Sequence, residues 1–208
     1  MEKKKPKIHL ILASKSRDRR RLLELAKIPV EVIPSNFNED LIQESDPYAK
    51  VQKIARAKAL KSYELWKKEN QPNSSKSTVV IAADTMVLFD GELIGKAKTK
   101  EDAHRILTLL AGKIHHLLTG VAIKHSKRKK IFTFVDDSLV HFQQMNKKEI
   151  STYLKDPEYR GRAGAYSLRE KASLFIDRIE GSPSNVLGLP MAKLRTALKT
   201  MGIDLLDL

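Results

Sequence analysis

Cysteine is absent from the 208 residues, which excludes a disulfide framework and any thiolate metal site and fits a cytoplasmic, reducing location. Long apolar runs are missing too. The first run, Ile8 to Ala13, is short and interrupted by His9, so the sequence predicts no signal peptide. No other stretch approaches the ~20 residues of a membrane span. Aromatic residues amount to only 6%, sparse for proteins that stack nucleobases, and no helix-turn-helix or RNP-like motif is legible. There is no internal repeat and no low-complexity linker. Negative charge is also short: 25 Asp and Glu face 39 Lys and Arg, a net +14. Such a field attracts anionic partners such as nucleotides, nucleic acids or anionic membranes, without choosing among them.

What is present reads as a folded, globular chain, 41% apolar and 31% charged, long enough to bury a core as one large domain or two small lobes. Apolar strand-like segments alternate with helical ones. Lys7 to Ala13 predicts a buried strand, Arg17 to Lys27 a helix with Leu22, Leu23 and Ala26 on one face, and Pro29 to Pro34 a short strand. Pro47 opens a helix carrying Val51, Ile54, Ala55, Lys58 and Leu65 that ends before Asn70. Gln71 to Ser77 is polar loop and Thr78 to Ala83 a buried strand. Asp90–Gly91 marks a hairpin turn between Met86–Phe89 and Glu92–Ile94.

Thr99 with Asp102 resembles a capping box, and Gly112 ends that helix. His115 to Lys124 and Lys130 to Phe142 predict an antiparallel pair, joined by the basic KHSKRKK tip (124–130), which reads as a solvated turn. LysLysLys at 3 to 5 reads as a frayed terminus. Asn146 with Glu149 opens another helix. A Gly- and Arg-rich loop leads to a strand over Ala172 to Ile179, and Gly181 to Pro190 is loop before the last helix. Helices alternating with strands, plus hairpins, predict an α/β fold with a mixed, twisted sheet.

Two stretches carry candidate chemistry. Ser14-Lys15-Ser16-Arg17-Asp18-Arg19-Arg20-Arg21 joins a strand to a helix N-terminus. Free N–H groups, two hydroxyls and several guanidiniums there suit a phosphate chain. A capped helix with a solvated basic first turn is the plainer reading. No P-loop is present, because its glycines are missing. In VVIAAD (79–84), Asp84 follows a buried strand. A carboxylate at a strand's carboxyl end can hold a hard divalent cation or take a proton from water, or it can simply cap a turn. His115 and His116 are adjacent and face opposite ways on a strand, so they read as structural. No Ser/His/Asp arrangement is legible.

The blocks SKSRDRRRLLELAKIPVEVIPSNFNED, ARAKA, AADTMV, DGELIGKAKTKEDAHRIL, LAGKIHHLLTGVAI and GRAGAYSLREKASLFIDRIEGSPSNVLGLP occur in this order over nearly the whole chain. Together they resemble the Maf family. The resemblance implies one domain over residues 1–208, an elongated α/β fold with a mixed sheet flanked by helices, and two lobes around a central cleft. It implies hydrolysis of a nucleoside triphosphate to the monophosphate and pyrophosphate with Mg²⁺ or Mn²⁺, dimerisation, and links to septum formation and nucleotide housecleaning. By position, Ser14, Ser16 and Arg19 match its phosphate-gripping opening, and Glu39 its acidic residue after the second strand. Lys58 matches the lysine of ARAKA, Asp84 the proton acceptor, and Lys96 the lysine of a Gly-Lys-Pro element. In this assignment Glu39 and Asp84 share the metal.

Thr85 completes the AADT pattern of the branch resembling dTTP/UTP pyrophosphatases. That branch also has proline and arginine where Arg17 and Asp18 stand, proline where Ala97 stands, and a base-reading glutamine where Arg169 stands. Arg only donates hydrogen bonds, whereas a glutamine amide both donates and accepts. The competing expectation is a basic nucleic-acid-binding module without catalysis, supported by the net charge and by Asp18. For a Maf-like enzyme, nucleic acid and membrane are not expected partners.

Overall fold

A computed structural model describes residues 7–70 and 76–208. The lysines at 3 to 5 and most of the Gln71–Ser77 loop lie outside the described residues. The strands are β1 (Lys7–Leu12), β2 (Glu31–Val32), β3 (Lys76–Phe89), β4 (Glu92–Ile94), β5 (Ile114–His125), β6 (Phe132–Phe142) and β7 (Ile176–Glu180). The helices are α1 (Arg17–Leu25), α2 (Pro47–Glu69), α3 (Lys100–Leu110), α4 (Lys147–Tyr153), α5 (Pro183–Val186) and α6 (Met191–Thr200). The strands form one sheet in the order β2-β1-β3-β5-β6-β7, with β4 paired to β3 off that path. β1 runs parallel to β2 and β3, while β3–β4 and β6–β7 are antiparallel. The predicted mixed α/β sheet is therefore the observed one. No helix among the described residues is long and apolar enough to cross a membrane.

The chain divides into two compact units. The first comprises Met1–Asp84, Gly120–Val135 and Met191–Leu208, and the second Thr85–Thr119 and Asp136–Pro190. In the first, the buried stripe of α2 follows helical spacing through Val51, Ile54, Ala55, Lys58, Ala59, Ser62 and Trp66. Trp66, and not the expected Leu65, closes this stripe, because position 66 falls one turn beyond Ser62 on the same face. Ala55, Ala59 and Trp66 pack with Ile11, Ala13, Val80, Ala82 and Ala122. The helix comes so close that a Cβ on Gly120 would stand 2.4 Å from the backbone carbonyl of Val51. Only glycine permits that approach.

Around α1, β2 and β3 the expected boundaries move, each for a local reason. The helix α1 stops at Leu25 because Lys27 takes a positive φ of 56°, letting the Ile28 N–H turn back to the Leu23 carbonyl at 2.9 Å. The strand expected over Pro29–Pro34 shrinks to Glu31–Val32, since both flanking prolines lack an N–H for the ladder. The β3 strand does not end at Asp84. It continues unbroken to Phe89, because Thr85 to Phe89 carry neither Gly nor Pro.

In the second unit, Asp90 (φ 51°) and Gly91 (φ 79°) make the predicted β3–β4 turn. The core gathers Val87, Ile106, Leu107, Leu110, Leu117, Val140, Phe142, Ile150 and Tyr166. Thr99 caps α3 by accepting from the Asp102 N–H at 3.1 Å, but Asp102 reaches back to Lys98 N instead of Thr99 N, so the box is displaced by one residue. The box at α4 is complete: Asn146 accepts from Glu149 N at 3.0 Å and Glu149 from Asn146 N at 2.7 Å. The strand expected from Ala172 begins only at Ile176. Glu158 accepts the Lys171 and Ala172 N–H groups at 3.0 and 3.2 Å, curling 171–174 into a 3₁₀ turn. The expected loop 181–190 contains α5, whose Asn185 N–H donates to Ser182 Oγ at 3.3 Å.

Candidate functional site

Six of the sequence-predicted site residues lie in the first unit: Ser14, Ser16, Arg19, Glu39, Lys58 and Asp84. Their placement follows from the ladder. β1 and β3 run in register through Leu10–Val79 to Leu12–Ile81, and the Ala13 N–H donates to Ile81 O at 2.8 Å. The chain then leaves β1 at Ser14, beside the stretch of β3 that carries Ala83 and Asp84. The rim at which the site forms is thus the carboxyl end of β1, with Asp84 inside a continuous neighbouring strand.

Ser14 is buried, and its Oγ accepts from the Ser16 N–H at 3.1 Å and from Arg19 Nη1 at 3.2 Å. Ser16 caps α1 by accepting from the Arg19 N–H at 3.4 Å. Arg19 Nη1 also donates to the Ala83 carbonyl at 2.9 Å. Of the basic first turn, Arg19 alone is drawn into this arrangement; Arg17, Arg20 and Arg21 are exposed, and Arg20 pairs with Glu24 at 2.6 Å. Burial holds the Arg19 guanidinium below its ordinary pKa, while Asp84 and Glu39 pull it back up. Asp18 is buried in the first turn of α1, where a helix N-terminus favours negative charge.

Asp84 is 2% exposed. It sits two residues after Ala82 and therefore on the same face of β3, the face that packs on Ala55 and Ala59 of α2. Lys58 lies on that buried stripe, between Ala55 and Ala59. Its ammonium donates to Asp84 Oδ1 at 2.6 Å and meets Glu39 Oε1 at 2.7 Å. Glu39 stands on a 3₁₀ turn, Glu39–Leu41, capped by Asn38. The path to that turn is fixed by β2, since Ile33 N donates to Leu12 O at 3.1 Å and Ser62 Oγ to Ile33 O at 2.6 Å. The second oxygen of Asp84, Oδ2, is buried with no hydrogen-bond partner.

An orphaned buried carboxylate oxygen calls for a partner outside the protein, such as water or a cation. Among the described residues no three His, Cys, Asp or Glu gather into a metal cluster. The carboxylates that could hold a cation are the pair Glu39 and Asp84, both on Lys58. That pair suits Mg²⁺, which binds through one or two carboxylates and completes its shell with phosphate oxygens and water.

Thr85, Lys96 and Arg169 belong to the second unit. The Thr85 hydroxyl shares a 3.0 Å hydrogen bond with Thr119, which donates to the Asn185 carbonyl at 3.3 Å. Lys96 is exposed, and its backbone forms a bridge with Ala163. Arg169 is exposed at the far end of the same loop, its N–H donating to Ser167 Oγ at 3.4 Å. The sequence reading did not find Thr119 or Asn185, although a threonine in the apolar run LLTGVAI was a signal for the first. The Ala83 carbonyl that holds Arg19 has no sequence signal at all. His115 and His116 face apart as expected. His115 is buried against Tyr166 OH at 2.8 Å, and His116 Nδ1 lies 3.0 Å from Asp137.

A family model described as "Maf-like protein" matches residues 9–201. A dTTP/UTP pyrophosphatase of Thermosipho africanus (strain TCF52B) is 38% identical over 93% of this chain and 94% of its own length. A nucleoside triphosphate pyrophosphatase of Synechococcus sp. (strain JA-2-3B'a(2-13)) is 36% identical over 95% of this chain and 96% of its own. The solved structure of the Staphylococcus aureus Ham1 protein overlays 64% of this chain and 71% of that one at a TM-score of 0.37 and 11% identity, too remote to bear on this chain.

Proposed function

The chain belongs to the Maf-like protein family, and from that membership we propose that it hydrolyses a nucleoside triphosphate to the monophosphate and pyrophosphate. The observation that carries this reading is the linkage Glu39–Lys58–Asp84, beside an Arg19 held by Ser14 and the Ala83 carbonyl. Two carboxylates and two cations at the rim of a sheet match what phosphoryl chemistry needs: a proton acceptor, and fixed positive charge where phosphate oxygens gain negative charge. The names of the relatives point to the same reaction.

In this mechanism Ser14, Ser16 and Arg19 hold the phosphate chain. Arg19 serves as a preorganised donor, because the Ala83 carbonyl and Ser14 Oγ fix its plane. Asp84 accepts the proton of the water that attacks the α-phosphorus, through the oxygen that has no protein partner. Lys58 neutralises charge on the phosphates. A divalent cation held by Glu39 and Asp84 would add Lewis-acid stabilisation of the phosphate oxygens. A cytoplasmic, dimeric enzyme belongs to the same proposal.

Base choice is tied to Arg169, which stands where the resemblance places a base-reading glutamine. Two relatives of this kind are named for dTTP and UTP, so a pyrimidine is the first substrate to test. Arg169 offers only donors, so it favours a base edge with acceptors over the donor–acceptor pattern a glutamine reads. The reading as a nucleic-acid-binding module without catalysis is not favoured, since it has no use for a buried, ion-paired aspartate.

The test is product analysis across natural and modified triphosphates with Mg²⁺ or Mn²⁺ in ¹⁸O-water. The proposal expects monophosphate carrying the label, plus unlabelled pyrophosphate. Diphosphate plus orthophosphate would refute it.

A further inference from the structure

Lys58 occupies an unusual place for a lysine that is to meet a phosphate. It is 8% exposed, and two of its three ammonium donors are already committed, to Asp84 Oδ1 at 2.6 Å and Glu39 Oε1 at 2.7 Å. Both are oxygens of the carboxylate pair that fits a divalent cation. Its stem lies in the apolar stripe of α2 between Ala55 and Ala59, so the head stays on these carboxylates unless another anion draws it away. The ammonium and an incoming cation would therefore compete for the same two carboxylates at a few ångströms, where a partly buried site screens repulsion poorly. Arg19 adds a second positive charge nearby, drawn toward both Asp84 and Glu39.

From this geometry we infer that Lys58 is a resident counter-cation, which keeps the Glu39–Asp84 pair closed to free metal until a metal-bearing triphosphate arrives. This rests on the reading of the site as a triphosphate site. The local charge supports it: two carboxylates and two cationic side chains cancel, so before nucleotide binds the site offers a bare dication little net attraction. A triphosphate reverses the balance. It brings more negative charge than its metal cancels, and it gives the Lys58 ammonium and Arg19 a new anionic partner. The ammonium then loosens from the carboxylates as the phosphates take it up, freeing Asp84 Oδ1 and Glu39 Oε1 beside the already unpartnered Asp84 Oδ2. Metal and nucleotide enter as one unit, and metal alone does not prime the enzyme.

The probe is Mn²⁺ alone, titrated into nucleotide-free full-length protein and followed by the loss of the free-ion electron paramagnetic resonance signal. The wild-type protein is expected to bind weakly, with no saturation below about 100 μM. Lys58→Met removes the charge but keeps the stem, and is expected to tighten Mn²⁺ binding at least about tenfold. Lys58→Gln, still a donor to the carboxylates, serves if the methionine variant does not fold. Lys61→Met, an exposed lysine one turn along the same helix, is expected to change nothing. Saturable wild-type binding in the tens of micromolar overturns the inference, as does a folded Lys58 variant that binds Mn²⁺ no better than wild type. Neither readout needs turnover, so a failure of the hydrolysis assay and a failure here are distinct results.

Discussion

At Arg19 two hydrogen bonds from one nitrogen, to Ser14 Oγ and to the Ala83 carbonyl, turn a surface residue of a helix into a fixed donor beside Asp84. A lysine cannot reproduce that plane, since its ammonium is a point charge on a flexible stem. Arg19→Lys is therefore expected to raise KM for the triphosphate about tenfold or more, the loss of a charge-assisted bidentate contact, with a smaller fall in kcat. Steady-state kinetics check this, and an unchanged KM would remove Arg19 from phosphate binding. At this scale the sequence was legible where a residue broke its own pattern. Asp84, a carboxylate after a buried apolar run, was singled out in this way, whereas Lys58, a charged member of an apolar helical stripe, drew its role only from the family resemblance. It was not legible where backbone does the work, as at the Ala83 carbonyl, because a peptide oxygen carries no residue label.

Elements were read best where periodicity and caps agreed, as along α2 with Pro47 at its start, or at α4 with its Asn146–Glu149 box. They were read worst where a tertiary contact overrides local preference. A charged Asp84 is tolerated inside β3 because Lys58 offsets its charge, and a sequence window around Asp84 does not contain that lysine. Likewise Ala172 curls into a 3₁₀ turn because Glu158, fourteen residues earlier, accepts its N–H. The packing of α2 on β5 yields a prediction at this scale. Gly120→Ala would drive a methyl into the Val51 carbonyl, with an expected destabilisation of about 1–3 kcal/mol and a melting temperature lower by about 2–4 °C per kcal/mol. Gly95→Ala, which meets nothing within 4 Å, is the control expected to be near neutral. Equal melting of the two variants would contradict the close approach.

For the molecule as a whole, stability responds to pH through buried histidines, both His115 and His125 being held below the ordinary value chiefly by burial, His115 the further. Burial chiefly, with the neighbouring His116 and His141, pushes His115 down to about 3 from 6.5. The unfolded chain then takes up this proton first as pH falls. The stabilisation is complete above about 6.5 and is lost progressively toward 3, with a slope of about 1.4 kcal/mol per pH unit from this one group. Urea unfolding at pH 7 and pH 5 checks it. His115→Phe, which keeps an aromatic ring against Phe142 and Tyr166, is expected to lose less stability than wild type between those pH values, whatever its absolute stability. An identical pH dependence in the two proteins would contradict the assignment.

The excess of positive charge, read first and most easily, points only to anionic partners; the proposed chemistry rests on the paired carboxylates inside it. The measurement that tests this most directly is pyrophosphate release by Asp84→Asn under saturating triphosphate, beside its thermal melt. The account predicts turnover lower by about a hundredfold or more in a protein that still melts as a folded chain. Turnover equal to that of the wild type would contradict it.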